Sequence, residues 1–269
     1  MTEIAATNWL HLQELLFSDT WDSSIKRHRS SYAYRGLNRS SYTLSTSLMR
    51  MGKPYPNMER NILKQFQKYA HKQIVERDTE WHWLSVAQHH GLPTRLLDWT
   101  YSPYVALHFA VSNIEAFGED GAIWRVNYAE AHQHLNKVAK GVLSKFGASI
   151  FSTDMLADAL ARGVDDLDAL HAPNYDFAVF FEPPALDDRI VNQFAYFSVL
   201  SDPTLSFDDW LASRAPTGPA VSWTKIVIPA SIKWEVRDKL DQANLNERTL
   251  FGGLDGLCSW LGRHYWPRP

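Results

Sequence analysis

Apolar and polar positions recur along the chain with two periods, one typical of helices and one typical of strands. In residues 8–17 (NWLHLQELLF), most apolar side chains fall on one helical face. Residues 57–90 carry apolar residues at helical intervals that are interrupted near Asp78, which predicts two helices. Residues 231–245 predict a further amphipathic helix, and the segment FGGLDGLCSWL is predicted to close the chain against the core.

Shorter apolar runs predict strands. Tyr32 and Tyr34 alternate around Ala33 before Gly36, a pattern typical of a short strand that ends in a polar loop. Buried strands are also predicted for GAIWRVNY, DFAVFFEP and WTKIVIPAS, whereas RIVNQFAYFSVL is interpreted as a strand with a helix as the alternative. Helices and strands mix without a regular βαβ order, so we expect an α+β fold with a mixed central sheet flanked by helices.

The stretch AQHHGLPTRLLDWT, residues 87–100, places polar residues beside leucines that belong in a core. Gly91 and Pro93 should end the helix before it, because proline lacks an amide hydrogen and restricts its preceding residue. TRLLDWT then predicts a short strand. Ser102 as N-cap and Pro103 at the first helical position predict that a new helix begins directly afterwards.

Asp98 is the residue of this stretch that most needs a partner, because an unpaired buried carboxylate is costly. The candidate partners are Arg35, Arg95, His89 and His90. We predict that Arg35, one of the two histidines and Asp98 converge in the folded protein. The alternative is a buried Arg–Asp–His network that only stabilises the fold.

Arg35 is the first candidate for ligand binding, because it stands at a predicted strand end between Tyr34 and Gly36. The planar fork of arginine can bind a phosphate or a ribose hydroxyl with two hydrogen bonds. Gly36 would allow a ligand to approach the backbone closely. The alternative is an arginine that pairs with a carboxylate at a strand end.

Several other chemistries find no support in the sequence. Adjacent histidines on a helix point about 100° apart and cannot easily share one ion, so His89 and His90 do not suggest a metal site. No HExxH, GxSxG, GxGxxG or P-loop motif is present. The sequence contains a single cysteine, Cys258, which excludes a framework of disulfides within the chain. We expect Cys258 to pack in a helix.

Composition and charge narrow the class of protein further. A net charge of −3 provides no global basic field for nucleic acid, and no apolar run approaches the length of a membrane span. We therefore expect a cytoplasmic protein without membrane contact. Residues 1–269 are interpreted as one domain, and the polar, Ala-rich residues at about 129–172 as a helical insertion outside the sheet.

Four segments together resemble the FRG domain family, which is found in bacteria and phages and takes its name from an aromatic-Arg-Gly triplet. The triplet is Tyr34-Arg35-Gly36 here, within YAYRGLNRSSYTLSTSLMR. The other segments are WLSVAQHHGLPTRLLDWTYSPYVALHFAV, RIVNQFAYFSVL and NERTLFGGLDGL. The resemblance covers roughly residues 20–260 without the insertion, and its central block is specific because it mixes chemical types instead of following an apolar period.

A second, weaker resemblance is to the ADP-ribosyltransferase fold, which implies NAD as a substrate. It implies that Arg35 grips NAD and that Thr100 and Ser102 are the hydroxyl residues of a following strand. Many such enzymes place a glutamate near a later strand, where this chain has Gln193; Glu182 or Glu247 would then have to supply the charge. The cofactor-binding residues expected on this basis are Tyr34, Arg35, Gly36, Arg95, Trp99, Thr100 and Ser102.

Three functions therefore remain open. The first is an NAD-consuming ADP-ribosyltransferase-like enzyme, such as a toxin or phage-defence effector that acts on a protein or nucleic acid. The second is a nucleotide hydrolase that uses His89 or His90 as the base, because histidine titrates close to cellular pH. The third is a nucleotide-binding or interaction module without turnover. The catalytic candidates across these functions are Arg35, His89, His90, Asp98, Gln193 and Glu247.

Overall fold

Helices surround a twisted central sheet in the computed structural model, which describes residues 2–52, 55–70, 79–171, 176–214 and 220–267. The strands are β1 Thr2–Ala5, β2 Trp21–Asp22, β3 Arg27–His28, β4 Tyr32–Leu37, β5 Leu97–Thr100, β6 Gly121–Asn127, β7 Phe151–Ser152, β8 Ala178–Glu182, β9 Ala195–Leu200 and β10 Trp223–Ile228. The helices are α1 Trp9–Phe17, α2 Tyr55–Ala70, α3 Glu80–His89, α4 Pro103–Ala110, α5 Tyr128–Ala131, α6 Lys137–Phe146, α7 Thr153–Ala159, α8 Val164–Ala169, α9 Asp188–Asn192, α10 Phe207–Ser213, α11 Ala230–Gln242, α12 Glu247–Phe251 and α13 Gly253–His264.

The central sheet has the strand order β1-β10-β6-β4-β5-β9-β8-β7 among the described residues. β1 pairs in parallel with β10 and β7 pairs in parallel with β8, whereas the other neighbours are antiparallel. The predicted α+β class with a mixed sheet flanked by helices is confirmed.

The sheet opens between β4 and β5. These two strands share a single residue pair, Tyr34 with Thr100. Beyond it, β4 stays paired with β6 over residues 32–37, and β5 stays paired with β9 over residues 97–100. The two halves of the sheet therefore separate from Arg35 onward, which creates a gap in the middle of the fold.

Helix α4 packs against β4 so closely that residue 36 must be glycine. A Cβ atom on Gly36 would collide with the carbonyl oxygen of Ala106 and lie 2.8 Å from the amide nitrogen of Ala110. The Cβ side of Gly36 is therefore occupied by a helix, so packing by itself requires a glycine at this position.

The predicted helix boundaries on either side of β5 are confirmed. Helix α3 ends at His89, and Gly91 follows with a φ of +82°. The Ser102 hydroxyl accepts a hydrogen bond from the amide of Val105, and Pro103 is the first residue of α4. The interruption predicted near Asp78 lies outside the described residues, but α2 and α3 confirm the two helices.

The segment RIVNQFAYFSVL contains both a short helix and a strand, the two elements predicted as alternatives for it. Residues 188–192 are the short helix α9, and residues 195–200 are the strand β9. Phe194, with a φ of +49°, makes the turn between them. A single change of chain direction therefore explains why neither period fits the whole segment.

The expected insertion is helical but contributes to the core. Its strand β7 extends the sheet by pairing with β8, and Phe151 is fully buried. Leu156 and Leu167 are also fully buried in the cluster that contains Trp81 of α3. The prediction that residues 129–172 lie outside the sheet is wrong for β7, which pairs with β8. The apolar side chains of this polar segment are spaced so that they lie on one face, and that face packs into the core.

The last helix, α13, does not close the chain against the core as predicted. Gly256 is its one buried residue, while Leu254 is 78% exposed and Cys258 is exposed. Gly256 packs against the carbonyl of Glu247 on α12, so contact with a neighbouring helix replaces contact with the core. Among the described residues, no helix is both long and apolar enough to cross a membrane.

Candidate functional site

A cleft of about 240 Å³ occupies the gap between β4 and β5. Its walls come from both separated strands, the end of α3, the helix α9 and the start of β9. The lining residues are Tyr34, Arg35, Gly36, Gln88, His89, Asp98, Trp99, Thr100, Phe109, Arg189, Ile190, Gln193, Ala195 and Phe197. The sheet is interrupted here, so polar side chains can reach a space that a continuous sheet would fill.

Arg35 bridges the gap. Its Nη1 donates to the backbone oxygen of Asp98 at 2.5 Å and lies 3.4 Å from the Oδ2 of the same residue. Its Nε is buried and has no hydrogen-bond partner in the described structure. The predicted convergence of Arg35 and Asp98 is confirmed, and the buried Nε of the guanidinium is left without a partner among the described residues.

The Asp98 carboxylate is held by a second group. Gln88 Nε2 donates to Asp98 Oδ1 at 2.8 Å, and Gln88 Oε1 accepts a hydrogen bond from the Thr94 hydroxyl at 2.5 Å. The Asp98 side chain is 57% exposed, so it is a solvated carboxylate at the cleft and not the buried one predicted. Its orientation is nevertheless fixed from two sides.

His89 and its neighbours form the opposite wall. His89 Nε2 lies 2.7 Å from Asp187 Oδ2, and the His89 side chain is 7% exposed. Arg189 Nη1 donates to the His89 carbonyl oxygen at 3.3 Å, and its guanidinium carbon lies 5.2 Å from the Phe251 ring centroid. The N-terminal end of α9 therefore positions both a carboxylate for His89 and a second cation for the cleft.

Gln193 lies in the cleft directly before β9. Its Nε2 donates to the Leu250 backbone oxygen at 3.1 Å. This bond fixes the amide and leaves Oε1 as its acceptor. Because β9 pairs with β5, the position predicted for a late acidic residue does lie close to Arg35 and Thr100, which line the same cleft.

The electrostatics of the cleft suit a ligand with negative charge. Arg35 and Arg189 are cations, whereas Asp98 is the one carboxylate among the described lining residues. Burial lowers the pKa of Arg35 and the Asp98 carboxylate opposes this, but arginine stays protonated at neutral pH. Partial burial raises the pKa of Asp187, yet hydrogen bonds from the Ile190 amide and His89 outweigh it, so its pKa is lowered overall.

Arg95 does not belong to the cleft. Its Nε lies 2.6 Å from Glu59 Oε2, and its Nη1 forms an ion pair with Asp168. All but 4% of the Arg95 side chain is buried. The alternative of a structural ion-pair network is therefore correct for Arg95, which joins α2 and α8 to the residues before β5.

The two aromatic residues among the expected cofactor-binding residues are core residues that border the cleft. Trp99 is 3% exposed, and its Nε1 donates to the Ser198 hydroxyl at 2.8 Å. Tyr34 is fully buried, and its hydroxyl donates to the Leu16 backbone oxygen at 3.2 Å. Both residues border the cleft, but their side-chain hydrogen-bonding groups are already occupied.

Four further candidates lie outside the cleft. His90 is exposed and Ser102 caps α4, and neither lines the cavity. Glu247 forms two hydrogen bonds with Arg263, at 2.7 Å and 2.8 Å, and borders a separate cavity of about 750 Å³. Glu182 borders a different cavity as well. Neither glutamate therefore supplies the cleft with the carboxylate that is missing at position 193.

Sequence reasoning gave Arg189 and Asp187 no role in the site. They lie about 100 residues from His89, so no local period connects the two segments. The sequence does contain one local signal, the aspartate Asp187 at the N-cap position of α9. Its side chain accepts a hydrogen bond from the amide of Ile190, three residues later. The capping interaction places the carboxylate at the start of α9, where it meets the end of α3.

One group elsewhere has a geometry that could hold a cation. His171, Asp176 and Asp202 lie close together, and His171 Nδ1 lies 2.7 Å from Asp176 Oδ1. None of the three lines the cleft. The group is therefore separate from the site built around Arg35.

Comparison with protein families supports the resemblance carried by the aromatic-Arg-Gly triplet. Residues 30–119 match the FRG domain. This FRG match spans β4 to the turn before β6 and so includes Arg35, Gln88, His89 and Asp98, while Arg189 and Gln193 lie beyond it. No curated protein and no solved structure matches the chain.

Proposed function

We propose that the cleft binds NAD or a related nucleotide, and that the protein is an ADP-ribosyltransferase-like enzyme that transfers or cleaves the ribosyl bond. The observation that carries this proposal is the adjacency of three elements around one cavity. Arg35 on β4, Thr100 on β5 and Gln193 before β9 come from successive neighbours in the sheet and line the same cleft. These are the positions that the resemblance to ADP-ribosyltransferases assigns to NAD binding.

The size of the cleft suits part of a dinucleotide. Ligand pockets commonly enclose roughly 300–1,000 Å³, whereas this cleft encloses about 240 Å³. A ribose with an attached ring and one phosphate fits such a space, and the remainder of the nucleotide extends toward solvent. Arg35 binds a phosphate or ribose oxygen, because it lines the cavity formed by the strand gap and a guanidinium can bond two oxygens at once.

Asp98 takes the charge-stabilising role that Gln193 cannot fill. Cleavage of a ribosyl bond develops positive charge on the sugar, and a carboxylate stabilises such charge while a neutral amide does so only weakly. Asp98 is the carboxylate of the described cleft, and Gln88 holds it in a fixed orientation. Gln193 instead accepts a hydrogen bond from a ribose hydroxyl through Oε1.

The deciding experiment is incubation of the purified protein with NAD, followed by measurement of released nicotinamide. We expect release by the wild-type protein and a large loss of release by Asp98→Asn, which keeps the size of the side chain but removes its charge. Thermal unfolding with and without NAD measures binding separately, because a ligand specific to the native state raises the apparent stability. Thermal stabilisation by NAD without nicotinamide release would establish a binding module. The absence of both stabilisation and release would overturn the proposal.

The proposal extends to a cellular role as a toxin or phage-defence effector in a bacterial cytoplasm, with a protein or nucleic acid as the target. Its support is the resemblance to a family found in bacteria and phages. Expression of wild-type and Asp98→Asn proteins in a bacterial host tests it. Growth arrest and a fall in cellular NAD with the wild-type protein alone are expected, and equal growth of both strains would contradict it.

A further inference from the structure

We propose that His89, oriented by Asp187, is the general base that takes the proton from the hydroxyl group attacking the ribose, with water as the acceptor in the simplest case. This inference rests on the proposed function of the cleft. The roles proposed for Arg35, Asp98 and Gln193 include no proton acceptor, and His89 supplies it for the attack on the ribose.

The hydrogen bond to Asp187 determines which nitrogen of His89 is free. Ionised Asp187 can only accept, so His89 Nε2 carries the hydrogen of their 2.7 Å contact. In neutral His89, Nδ1 therefore holds the lone pair, and it has no hydrogen-bond partner among the described residues. A ring held by a carboxylate on one nitrogen with a free lone pair on the other is the arrangement of a general base.

Asp187 is itself fixed in place. Its Oδ1 accepts a hydrogen bond from the amide of Ile190, as the N-cap of α9, while Oδ2 faces His89. The same helix supplies Arg189, which donates to the His89 backbone oxygen. Two contacts from one helix therefore hold the backbone and the ring of His89 against the cleft.

The charged groups around His89 permit it to accept a proton. Asp187 is the carboxylate nearest to the ring and balances the charge of an imidazolium. Arg189 and Arg35 are the cations of the cleft, and Asp98 is its carboxylate. The ring of His90 meets that of His89 edge-on, with 5.2 Å between their centroids.

The other polar groups of the cleft are less suited to this step. Asp98 Oδ1 accepts from Gln88 and its Oδ2 lies 3.4 Å from Arg35 Nη1, so both of its oxygens have partners. Gln193 carries an amide, which is not a base at neutral pH. His89 is the remaining described lining residue that carries an imidazole, the side chain that most often serves as a general base.

Hydrolysis of NAD breaks one bond to the ribose and forms another. The bond between ribose C1′ and the nicotinamide nitrogen breaks, and its electron pair leaves with nicotinamide. The oxygen of water forms a bond to C1′ as its proton passes to His89 Nδ1, and His89 later returns this proton to solvent. The products are nicotinamide, ADP-ribose and one proton.

The adjacent histidines provide a matched pair of variants. His89 lines the cleft, whereas His90 is exposed and does not. We expect His89→Ala to lower kcat for NAD hydrolysis by about 10²-fold or more, the usual contribution of a general base. His90→Ala should stay close to wild type. Added imidazole should restore part of the activity to His89→Ala and none to Asp98→Asn.

A pH profile separates catalysis from a structural role. A general base acts only in its unprotonated form, so an acid limb in the wild-type profile should disappear in His89→Ala. Asp187→Asn should shift the limb to lower pH, because the anion that stabilises an imidazolium has been removed.

Thermal stabilisation by NAD shows whether His89→Ala still folds and binds. A variant that binds NAD and hydrolyses it at the wild-type rate would overturn the role of His89 while leaving the proposed function intact. Absence of NAD binding and hydrolysis in the wild-type protein would instead overturn the proposed function, and with it this inference.

Discussion

At the scale of single residues, Arg35 combines a structural hydrogen bond with an unpartnered donor in one side chain. It donates to the backbone oxygen of Asp98 across the gap between β4 and β5, yet its Nε has no partner in the described structure. An orphaned donor in a buried arginine is costly unless water or a ligand satisfies it. The proposed ligand completes this hydrogen bonding.

Replacement of Arg35 tests the ligand-facing contact. We expect Arg35→Ala to lower kcat/KM for NAD by about 30-fold to 1,000-fold, which corresponds to roughly 2–4 kcal/mol of lost charge stabilisation. Arg35→Lys should recover little, because an ammonium cannot reproduce the planar fork. The exposed Arg39, paired with Glu119, is the control for loss of a cation. Unfolding of Arg35→Ala together with an NAD-inert wild type would assign Arg35 to the fold alone.

Gly36 is a residue whose smallness is required by packing. Gly36→Ala should lower the free energy of unfolding by about 3 kcal/mol, because its Cβ would meet the backbone of Ala106 on α4. Gly141 is the matched control: it lies in α6, and a Cβ there meets nothing within 4 Å. Gly141→Ala should leave stability equal or about 0.5–1 kcal/mol higher. Urea unfolding of both variants checks this, and equal stabilities would refute the packing constraint.

At the scale of elements, the short helix α9 has an effect beyond its length. It places Asp187 against His89, sets Arg189 at the cleft and leads into Gln193 before β9. A helix of five residues gains little stability from its own hydrogen bonds, so its position depends on tertiary contacts. The contacts with His89, Phe251 and Leu250 provide them.

Arg189 should recognise the phosphates of the ligand. Arg189→Ala is expected to weaken the binding of ADP-ribose by about 10-fold to 100-fold, the effect of one lost charged hydrogen bond. Binding of nicotinamide riboside, which has no phosphate, should be unchanged. Arg248, whose guanidinium carbon lies 4.9 Å from the Trp260 ring centroid outside the cleft, is the matched control. Calorimetric titration measures both ligands, and equal losses for both would argue against phosphate recognition.

The segment that contains α6, β7, α7 and α8 is expected to be essential for folding. Phe151 is fully buried in the core, so Phe151→Ala leaves a cavity there. The substitution should destabilise the protein by about 3–5 kcal/mol. Phe146, in the same segment, is 60% exposed, and Phe146→Ala should change stability by less than about 0.5 kcal/mol. Denaturant midpoints of the two variants decide whether this segment can be shortened.

At the scale of the whole molecule, two buried histidines should make the fold sensitive to acid. Burial, with the Arg237 cation beside it, lowers the pKa of His108 to about 3. Burial lowers the pKa of His132 to about 4, although the hydrogen bond to the Ser149 carbonyl opposes this. Both are neutral in the folded protein at neutral pH, and their ring nitrogens bind Arg237 and the Phe180 amide as acceptors.

The sign of this effect follows from proton binding. Between the ordinary histidine pKa of about 6.5 and the lowered folded values, the unfolded chain binds protons that the folded chain excludes. Above a pH of about 6.5 these two histidines should not change the free energy of unfolding. Below that pH, the free energy of unfolding should fall by up to about 1.4 kcal/mol per pH unit for each histidine. Unfolding free energies from pH 7.5 to 4.5 test this, with His28→Ala as the exposed control. A flat profile would contradict it.

The sequence by itself determined the local features of this protein. The N-cap at Ser102, the end of α3 before Pro93 and the strand around Arg35 follow from interactions between residues that are close in the chain. The aromatic-Arg-Gly triplet and the block around Asp98 also marked part of the site. Capping, chain stiffness and hydrophobic period act over a few residues, so they can be predicted without knowledge of the fold.

The tertiary structure alone decided how these parts combine. Only the folded chain shows that β4 and β5 separate after the pair of Tyr34 with Thr100, which opens the cleft. It also brings Arg189 to His89 and pairs Glu247 with Arg263 outside the cleft. The physical reason is that strand register and the pairing of distant charges are set by the packing of the whole core, and residues 100 positions apart carry no shared local signal.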